Sequence, residues 1–356
     1  MNTKKIFGVN RRLDWESRDD MNKNQIVSNR CYSANEVFPL KGYFSKLGAH
    51  RTMLGDTQRT LAFQKAIETI VKPGDVVADL GTGTGILAMF AAKKGAKKVY
   101  AVESGPIISL AKKIAAKNNL VSRIEFIRGN SRAISLPQKV DVIVSETIGL
   151  AGFEENIVET MADFQKRFGK KTTQFIPRKL ELFVALSDYM PAYKLATFWR
   201  RKLYGFSFSP LLELSLQNLY SRIVAPKSSI VSRAQKIACF NLGKDQVAET
   251  SREVVFKIGG STRICGFWFW FRLFLTDSII ICSSPFDSTT HWQNCFIPLS
   301  QLVNLIRNDI VKVKFKLGST NKGQTFFSWR TTIARKGNVI NSFSQSTRKI
   351  IDYITH

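Results

Sequence analysis

The chain has 356 residues, 44% hydrophobic and 22% charged, which is enough for two cored domains and excludes a disordered protein. Five dispersed cysteines (Cys31, Cys239, Cys265, Cys282, Cys295) form no C-x-x-C pair, so they read as reduced cytosolic thiols, not a disulfide framework or a zinc site. Lysine and arginine outnumber aspartate and glutamate by 53 to 27, giving a net charge of +26, and from Phe256 to His356 there is no glutamate at all. The excess is spread along the chain with no compact basic block. A solvated basic surface is therefore the plain reading, and a nucleic-acid partner is an alternative unsupported by any motif.

Residues 1–42 show no clean periodicity and form an N-terminal extension. Met1 to Arg12 is basic but has no apolar run behind it, so no secretory signal is expected. Residues 43–176 form the first domain. Tyr43 to Val71 is helical in pattern, with Leu61, Phe63, Ala66, Ile67 and Ile70 on one face. Short apolar runs follow at Val76 to Leu80, Val99 to Glu103, Ile124 to Ile127 and Asp141 to Ser145. Helical stretches (Leu87 to Lys94, Ile107 to Asn118) separate the first three, which predicts βαβ units and a parallel sheet.

The texture changes after Pro177. Residues 177–356 read as an antiparallel β domain with strands at Leu180 to Leu186, Glu253 to Ile258, Ile264 to Leu275, Ile279 to Cys282, Val311 to Leu317 and Phe326 to Ile333. A helical insert over about residues 191–232 interrupts it. Arg272 and Asp277 break the most apolar stretch, Ile264 to Ser283, which reads as buried strand and not as a membrane span. A cytoplasmic protein without membrane association is expected.

The first chemical motif is Asp79-Leu-Gly81-Thr-Gly83-Thr-Gly85, which leaves a strand and opens a helix. Its glycines let the backbone turn sharply and approach a ligand. Dinucleotide dehydrogenases use a similar turn, but here Gly85 comes one residue too early for G-x-G-x-x-G. Asp79 would repel a pyrophosphate and suits the cationic methionine end of S-adenosylmethionine. Glu103 closes the second strand, where a carboxylate can accept both ribose hydroxyls.

The second motif, Val144-Ser-Glu146 to Glu154-Glu155, ends the fourth strand, at the sheet edge where ligands bind. Glu146 and Glu155 could bracket a planar guanidinium through paired charge-assisted hydrogen bonds. On its own, an acidic loop is as often simply solvated.

At this point the sequence resembles the protein arginine methyltransferase family, which carries two glutamates at the same nine-residue spacing. His50-Arg-Thr-Met53 to Asp56-Thr-Gln-Arg59 looks like the family's N-terminal helix over the cofactor. Thr290-His291-Trp292 matches its threonine-histidine-tryptophan loop, and Trp199 to Pro226 resembles its dimerisation arm. The resemblance covers roughly Tyr43 to Leu317. It implies a Rossmann-like class I methyltransferase domain followed by an antiparallel β-barrel, with S-adenosylmethionine as cofactor and a homodimer as the assembly. It puts Arg59 on the cofactor carboxylate, Glu103 on the ribose, and Met53, Asp79, Gly81, Gly83, Gly85, Ser131 and Glu146 elsewhere around the cofactor. Glu146 and Glu155 take the guanidinium, with Tyr43 and Trp292 beside the substrate, and His291 paired with Asp56 helps remove the proton.

Several departures bear on the substrate. Ser131-Arg132 replaces the family's acidic residue near the adenine, and the family's second tyrosine after Tyr43 has no counterpart. Met53 and Ile157 are expected to line the pocket that limits the number of methyl groups. The substrate expectation is protein arginine, with free arginine or another small guanidino compound as the alternative. A non-catalytic partner of an active enzyme is a further reading, which the intact motif residues oppose. A nucleic-acid methyltransferase is disfavoured by the lack of an Asn-Pro-Pro-Tyr-type motif.

Overall fold

The computed structural model describes residues 47–245, 250–320 and 324–355. The N-terminal extension and Tyr43 lie outside the described residues. Two helices come first, α1 (Leu47–Gly55) and α2 (Thr57–Ile70). Asp56 between them caps α2 by accepting the Arg59 N–H at 3.0 Å, a cap contributing about 1 kcal/mol.

Five parallel strands follow: β1 (Val76–Leu80), β2 (Lys98–Glu103), β3 (Ile124–Arg128), β4 (Val140–Ser145) and β5 (Gly169–Ile176), in the order β3-β2-β1-β4-β5. β1 is buried along its whole length because helices cover both faces of a parallel sheet, hence its apolar run, broken only by Asp79. Helices α3 (Ile86–Lys94), α4 (Ile108–Lys117) and α5 (Ile157–Phe168) make the crossovers. Neither α5 nor β5 was expected. β5 reads GKKTTQFI, with exposed lysines on an edge strand and only Thr173 and Ile176 buried.

The change of architecture falls between Ile176 and β6 (Lys179–Ser187). Strand β6 belongs to a six-stranded antiparallel sheet with β7 (Tyr220–Ile223), β8 (Gln235–Asn241), β10 (Thr262–Phe274), β11 (Ile280–Cys282) and β12 (Asn294–Leu305). A second antiparallel sheet holds β9 (Thr250–Lys257), β13 (Ile310–Ser319), β14 (Thr325–Arg335) and β15 (Asn338–Ser346) in the order β15-β14-β13-β9. The expected barrel is thus built as two antiparallel sheets. Their inner faces meet in an aromatic core, with Phe267 on Phe315 at 5.7 Å and Phe269 on Phe327 at 5.6 Å. Each such side chain, fully buried, contributes roughly 1.5–3 kcal/mol.

The helical insert is shorter than expected. It consists of α6 (Met190–Ala196), a short 3-10 turn and α7 (Ser209–Ser215), after which the chain turns into β7 and pairs with β12. A last helix, α8 (Arg348–Thr355), follows β15. Among the described residues no helix is long and apolar enough to cross a membrane, and the apolar stretch from Ile264 forms β10 and β11.

Candidate active site

The glycine loop forms where β1 gives way to α3. Gly81 and Thr82 donate their N–H groups to Val102 O at 2.9 and 3.0 Å, which ties the loop to β2. Gly81 and Gly83 have φ of +72° and +54°, a conformation that side chains disfavour. A Cβ on Gly81 would lie 2.5 Å from the Thr147 methyl group, so only bare backbone fits there.

Asp79 does not line the cleft above this loop. Its carboxylate turns inward, accepting the Thr82 hydroxyl at 2.6 Å and the Ala88 N–H at 3.0 Å. Complete burial, opposed by those two hydrogen bonds, raises it to about 6. Asp79 therefore shapes the loop from behind, with both local donors on Oδ2 and Oδ1 buried without a partner. Gly85 likewise faces away: it stands at the N-terminus of α3, and a Cβ there would touch Ala111 at 3.4 Å.

Two contiguous cavities of about 400 Å³ each run along the carboxyl edge of the parallel sheet. They share Gly81, Glu103, Ser104, Thr147 and Glu155. One end is bounded by Asn130, Ser131 and Arg132, the other by His50, Met53 and Arg59. Glu103 stands at the junction, its two oxygens accepting the N–H groups of Gly83 at 3.1 Å and Gly105 at 2.7 Å. The backbone oxygen of Ser131 is held by the Arg167 guanidinium, which also donates to Ile134 O at 2.8 Å.

Arg59 is buried at the second end. It donates to Met53 O at 2.8 Å and forms an ion pair with Glu146. Its Nε is buried without a hydrogen-bond partner. Burial lowers this guanidinium to about 10, against the pull of Asp56 and Glu155. It remains charged at neutral pH.

The acidic loop separates its two adjacent glutamates. Glu154 folds back on its own loop, accepting the N–H of Ala151 at 2.9 Å and of Phe153 at 3.2 Å. A Cβ on Gly149 would sit 2.2 Å from that carboxyl carbon, so Gly149 makes room for it. Glu155 lines both cavities, and Glu146 lines the one with Arg59. Burial, reinforced by neighbouring Glu154 and opposed by Arg59, raises Glu155 to about 8. A carboxyl with its acidity so displaced, in a cleft, marks a functional site, and its ionised form is the one that can hold a cation.

The second domain holds this loop in place. Trp292 donates its indole N–H to Ile148 O at 2.9 Å, and the Cys295 thiol reaches Leu150 O at 3.3 Å. The Phe153 ring packs against Phe269 and Phe327, and Thr325 donates to Asn156 Oδ1 at 2.6 Å. Trp292 is only 1% exposed, lines neither cavity and anchors the loop through its indole. Ile157, fully buried in the core, likewise lines neither; Met53 alone of that expected pair reaches the cavity.

His291 is bonded to Asp56, and neither residue is among those that line the two cavities. Burial lowers its pKa below the usual value, only partly offset by that bond. Burial alone would raise Asp56, but hydrogen bonds from the His291 ring and backbone and from Arg59 N–H outweigh it and bring Asp56 down to about 2. An ionised Asp56 only accepts, so Nδ1 of a neutral His291 carries the proton and leaves Nε2 as an acceptor.

Sequence reasoning overlooked His50 and Thr147. Both line the cleft, and His50 faces Gly83. The only signal was position: His50 opens the stretch that contains Met53, and Thr147 follows the first glutamate.

The fold and the cleft together define a class I methyltransferase that uses S-adenosylmethionine. The residues fit that cofactor: bare backbone at Gly81, a carboxylate at the end of β2, and a buried arginine with an unpartnered donor. The family profile described as ribosomal protein L11 methyltransferase (PrmA) matches residues 48–176, and the arginine methyltransferase oligomerization subdomain matches residues 179–328. The chain belongs to the protein arginine methyltransferase family. It is 28% identical to protein arginine N-methyltransferase 6 of Danio rerio over 77% of this chain and 82% of that one. With protein arginine N-methyltransferase 1 of Saccharomyces cerevisiae it shares 26% identity over 88% and 92%. It is 31% identical, over 70% of this chain, to ribosomal protein arginine N-methyltransferase rmt3 of Schizosaccharomyces pombe, of whose length it spans 49%. Among solved structures, its fold resembles the Trypanosoma brucei PRMT1 enzyme-prozyme heterotetrameric complex with AdoHcy (TM-score 0.76, 23% identity, 85% of this chain and 98% of that one). Arabidopsis thaliana protein arginine methyltransferase 10 is similar in fold at a TM-score of 0.73 and 24% identity, with 85% and 98% covered.

Proposed function

We propose that the chain transfers a methyl group from S-adenosylmethionine to a guanidinium nitrogen of arginine in protein substrates. The observation that carries this reading is Glu155, a poorly solvated carboxyl facing the same cleft as Arg59, Glu103 and the glycine loop. S-adenosylmethionine supplies an electrophilic methyl on a sulfonium, which departs as a neutral thioether. The chain's own residues do the rest. Arg59, with its free Nε, takes the cofactor carboxylate, and Glu103 takes the ribose. Glu146 and Glu155 grip the guanidinium through charge-assisted hydrogen bonds, aim one nitrogen and stabilise the charge on the others. His291 Nε2, with Asp56 behind Nδ1, accepts the proton that the methylated nitrogen sheds.

A net charge of +26 disfavours encounter with strongly basic, arginine-rich polypeptides. The reading is therefore narrowed to arginines in neutral or acidic surroundings, with free arginine as the second substrate class. The arm around α6 and α7 pairs two copies of the chain. Tyr204 and Phe206 at its tip are 89% and 70% exposed, more apolar surface than a lone excursion keeps in water. The dispersed thiols support a cytoplasmic setting.

The deciding experiment follows label from methyl-labelled cofactor into free arginine, an arginine in an acidic peptide and a glycine- and arginine-rich peptide, at low and raised salt. Transfer to the acidic peptide is expected to dominate at low salt. Efficient low-salt labelling of the arginine-rich peptide would overturn the charge argument, and no transfer to any of the three would overturn the activity.

A further inference from the structure

The four-stranded sheet has an outer face lined by basic and hydroxyl side chains. Along β13, buried Val311, Val313 and Phe315 alternate with Lys312, Lys314 and Lys316, which all point outward. Lys312 and Lys314 are exposed and Lys316 half-buried. The register sets exposed Arg330 of β14 directly opposite Lys314, with Thr332 and Ser328 opposite Lys312 and Lys316. Beyond them β15 continues the same rows with Ser342, Ser344 and Ser346. On the other flank β9 sets Glu253 directly opposite Lys314, Val255 opposite Lys312 and Ser251 opposite Lys316, with Lys257 opposite Ile310.

Several basic side chains elsewhere on the surface have acidic partners. Glu181 is surrounded by Lys179, Lys236 and Arg272, Lys98 pairs with Glu125, and Lys170 with Asp141. On this face, among the described residues, no ion pair joins Lys312, Lys314 or Arg330 to a carboxylate. Like charges directly opposite one another destabilise a sheet; here the Lys314–Arg330 pairing has Glu253, on the other side of Lys314, as its one facing carboxylate. Alternate residues of a strand lie about 6.7 Å apart, so the three lysines form a straight row whose step is close to that of successive phosphates in an extended strand. The flanking serine and threonine hydroxyls are phosphate donors of the usual kind. No aromatic side chain stands in these rows to stack a base or anchor a protein partner.

We propose that this outer face binds the phosphodiester backbone of nucleic acid without reading its sequence. The inner face of the same sheet packs into the core, so a strand bound here lies on the far side of the sheet from the core. The chain would thereby be held on nucleic acid through a surface separate from the methyl-transfer cleft.

The test is fluorescence anisotropy of a labelled oligouridylate with the full-length protein over a salt series. A triple reversal, Lys312→Glu with Lys314→Glu and Arg330→Glu, is compared with an equal reversal on the exposed face of α4: Lys112→Glu, Lys113→Glu and Lys117→Glu. The sheet variant should bind at least tenfold more weakly, with a salt slope shallower by about two for three lost contacts at ~0.7 each, and the α4 variant within twofold of wild type. A milder pair, Lys314→Gln with Arg330→Gln, should weaken binding by a smaller step, and all variants should keep the wild-type melting shift with S-adenosylmethionine. Equal weakening in both triple variants would assign the binding to bulk charge and overturn the proposal. So would absence of oligouridylate binding by the wild type. Loss of binding to phosphatidylserine vesicles while oligouridylate binding persists would assign the face to a membrane and overturn it too.

Discussion

Asp56 and His291 lie 235 positions apart and are joined twice: the His291 backbone N–H and ring Nδ1 both meet Asp56 Oδ2 at 2.8 Å. One carboxylate thus caps α2, orients an imidazole and fixes the loop that carries it. Asn in its place keeps the helix cap but removes the anion that holds the ring's tautomer. Asp56→Asn should lower kcat by roughly 10²–10⁴-fold while cofactor binding persists. A kcat at the wild-type level in single-turnover methyl transfer would refute the proton-transfer role of the pair.

The two substrate glutamates should separate in their effect on the cofactor. Each Gln replacement removes about 1.5–3 kcal/mol for one lost charge-assisted hydrogen bond, so turnover should fall at least tenfold in both. Glu146 is also the ion-pair partner of Arg59, so Glu146→Gln should change S-adenosylmethionine affinity, whereas Glu155→Gln should leave it near wild type. Titration calorimetry checks this. Identical cofactor affinity in both variants would show that the Arg59–Glu146 pair is not coupled to that site.

Acidity provides a third test. Glu155, raised to about 8, holds a proton at lower pH and must lose it to grip a guanidinium. The sign follows: kcat/KM should climb as pH rises towards 8 and level off above it, and capture of the cation should release a proton. Glu155→Gln should lack this limb in its residual activity. A wild-type profile that is flat from about pH 6.5 to about 9 would contradict the assignment.

For the arm, Tyr204→Asp with Phe206→Asp should yield a monomer by sedimentation without loss of fold, since both side chains are exposed in the single chain. A wild-type protein that is already monomeric at micromolar concentration would dispose of the dimer.

The sequence was most legible where periodicity and burial coincide. β1 and β10 are mostly apolar, with Asp79, Arg263 and Arg272 as the charged exceptions, because both faces are largely covered, and both stand out in the bare chain. β12 carries Pro298 in its middle, and β15 alternates Asn, Ser and Gln with few apolar residues, so neither shows as strand until its neighbours are present. In the site, spacing singled out Glu146 and Glu155, but no spacing rule says that Glu154 turns inward onto its own backbone. Asp79 and Trp292 make the same point. Residue type placed them beside the chemistry, and their hydrogen bonds to Ala88 N–H and Ile148 O turn them away from it. Orientation depends on local donors that the linear order does not reveal.

The grip on the acidic loop bears on how the protein can be divided. Glu146 and Glu155 are encoded in the first half of the chain, yet Trp292, Cys295, Phe269, Phe327 and Thr325 of the second half hold their loop. Cut at Pro177, the amino-terminal piece would keep the glycine turn and Glu103, and with them a place for the nucleoside, but its guanidinium receptor would have no walls. Cleavage or an intervening insertion at that joint would therefore leave a cofactor binder that methylates nothing, and supplying the missing half in trans would be the way to restore the receptor.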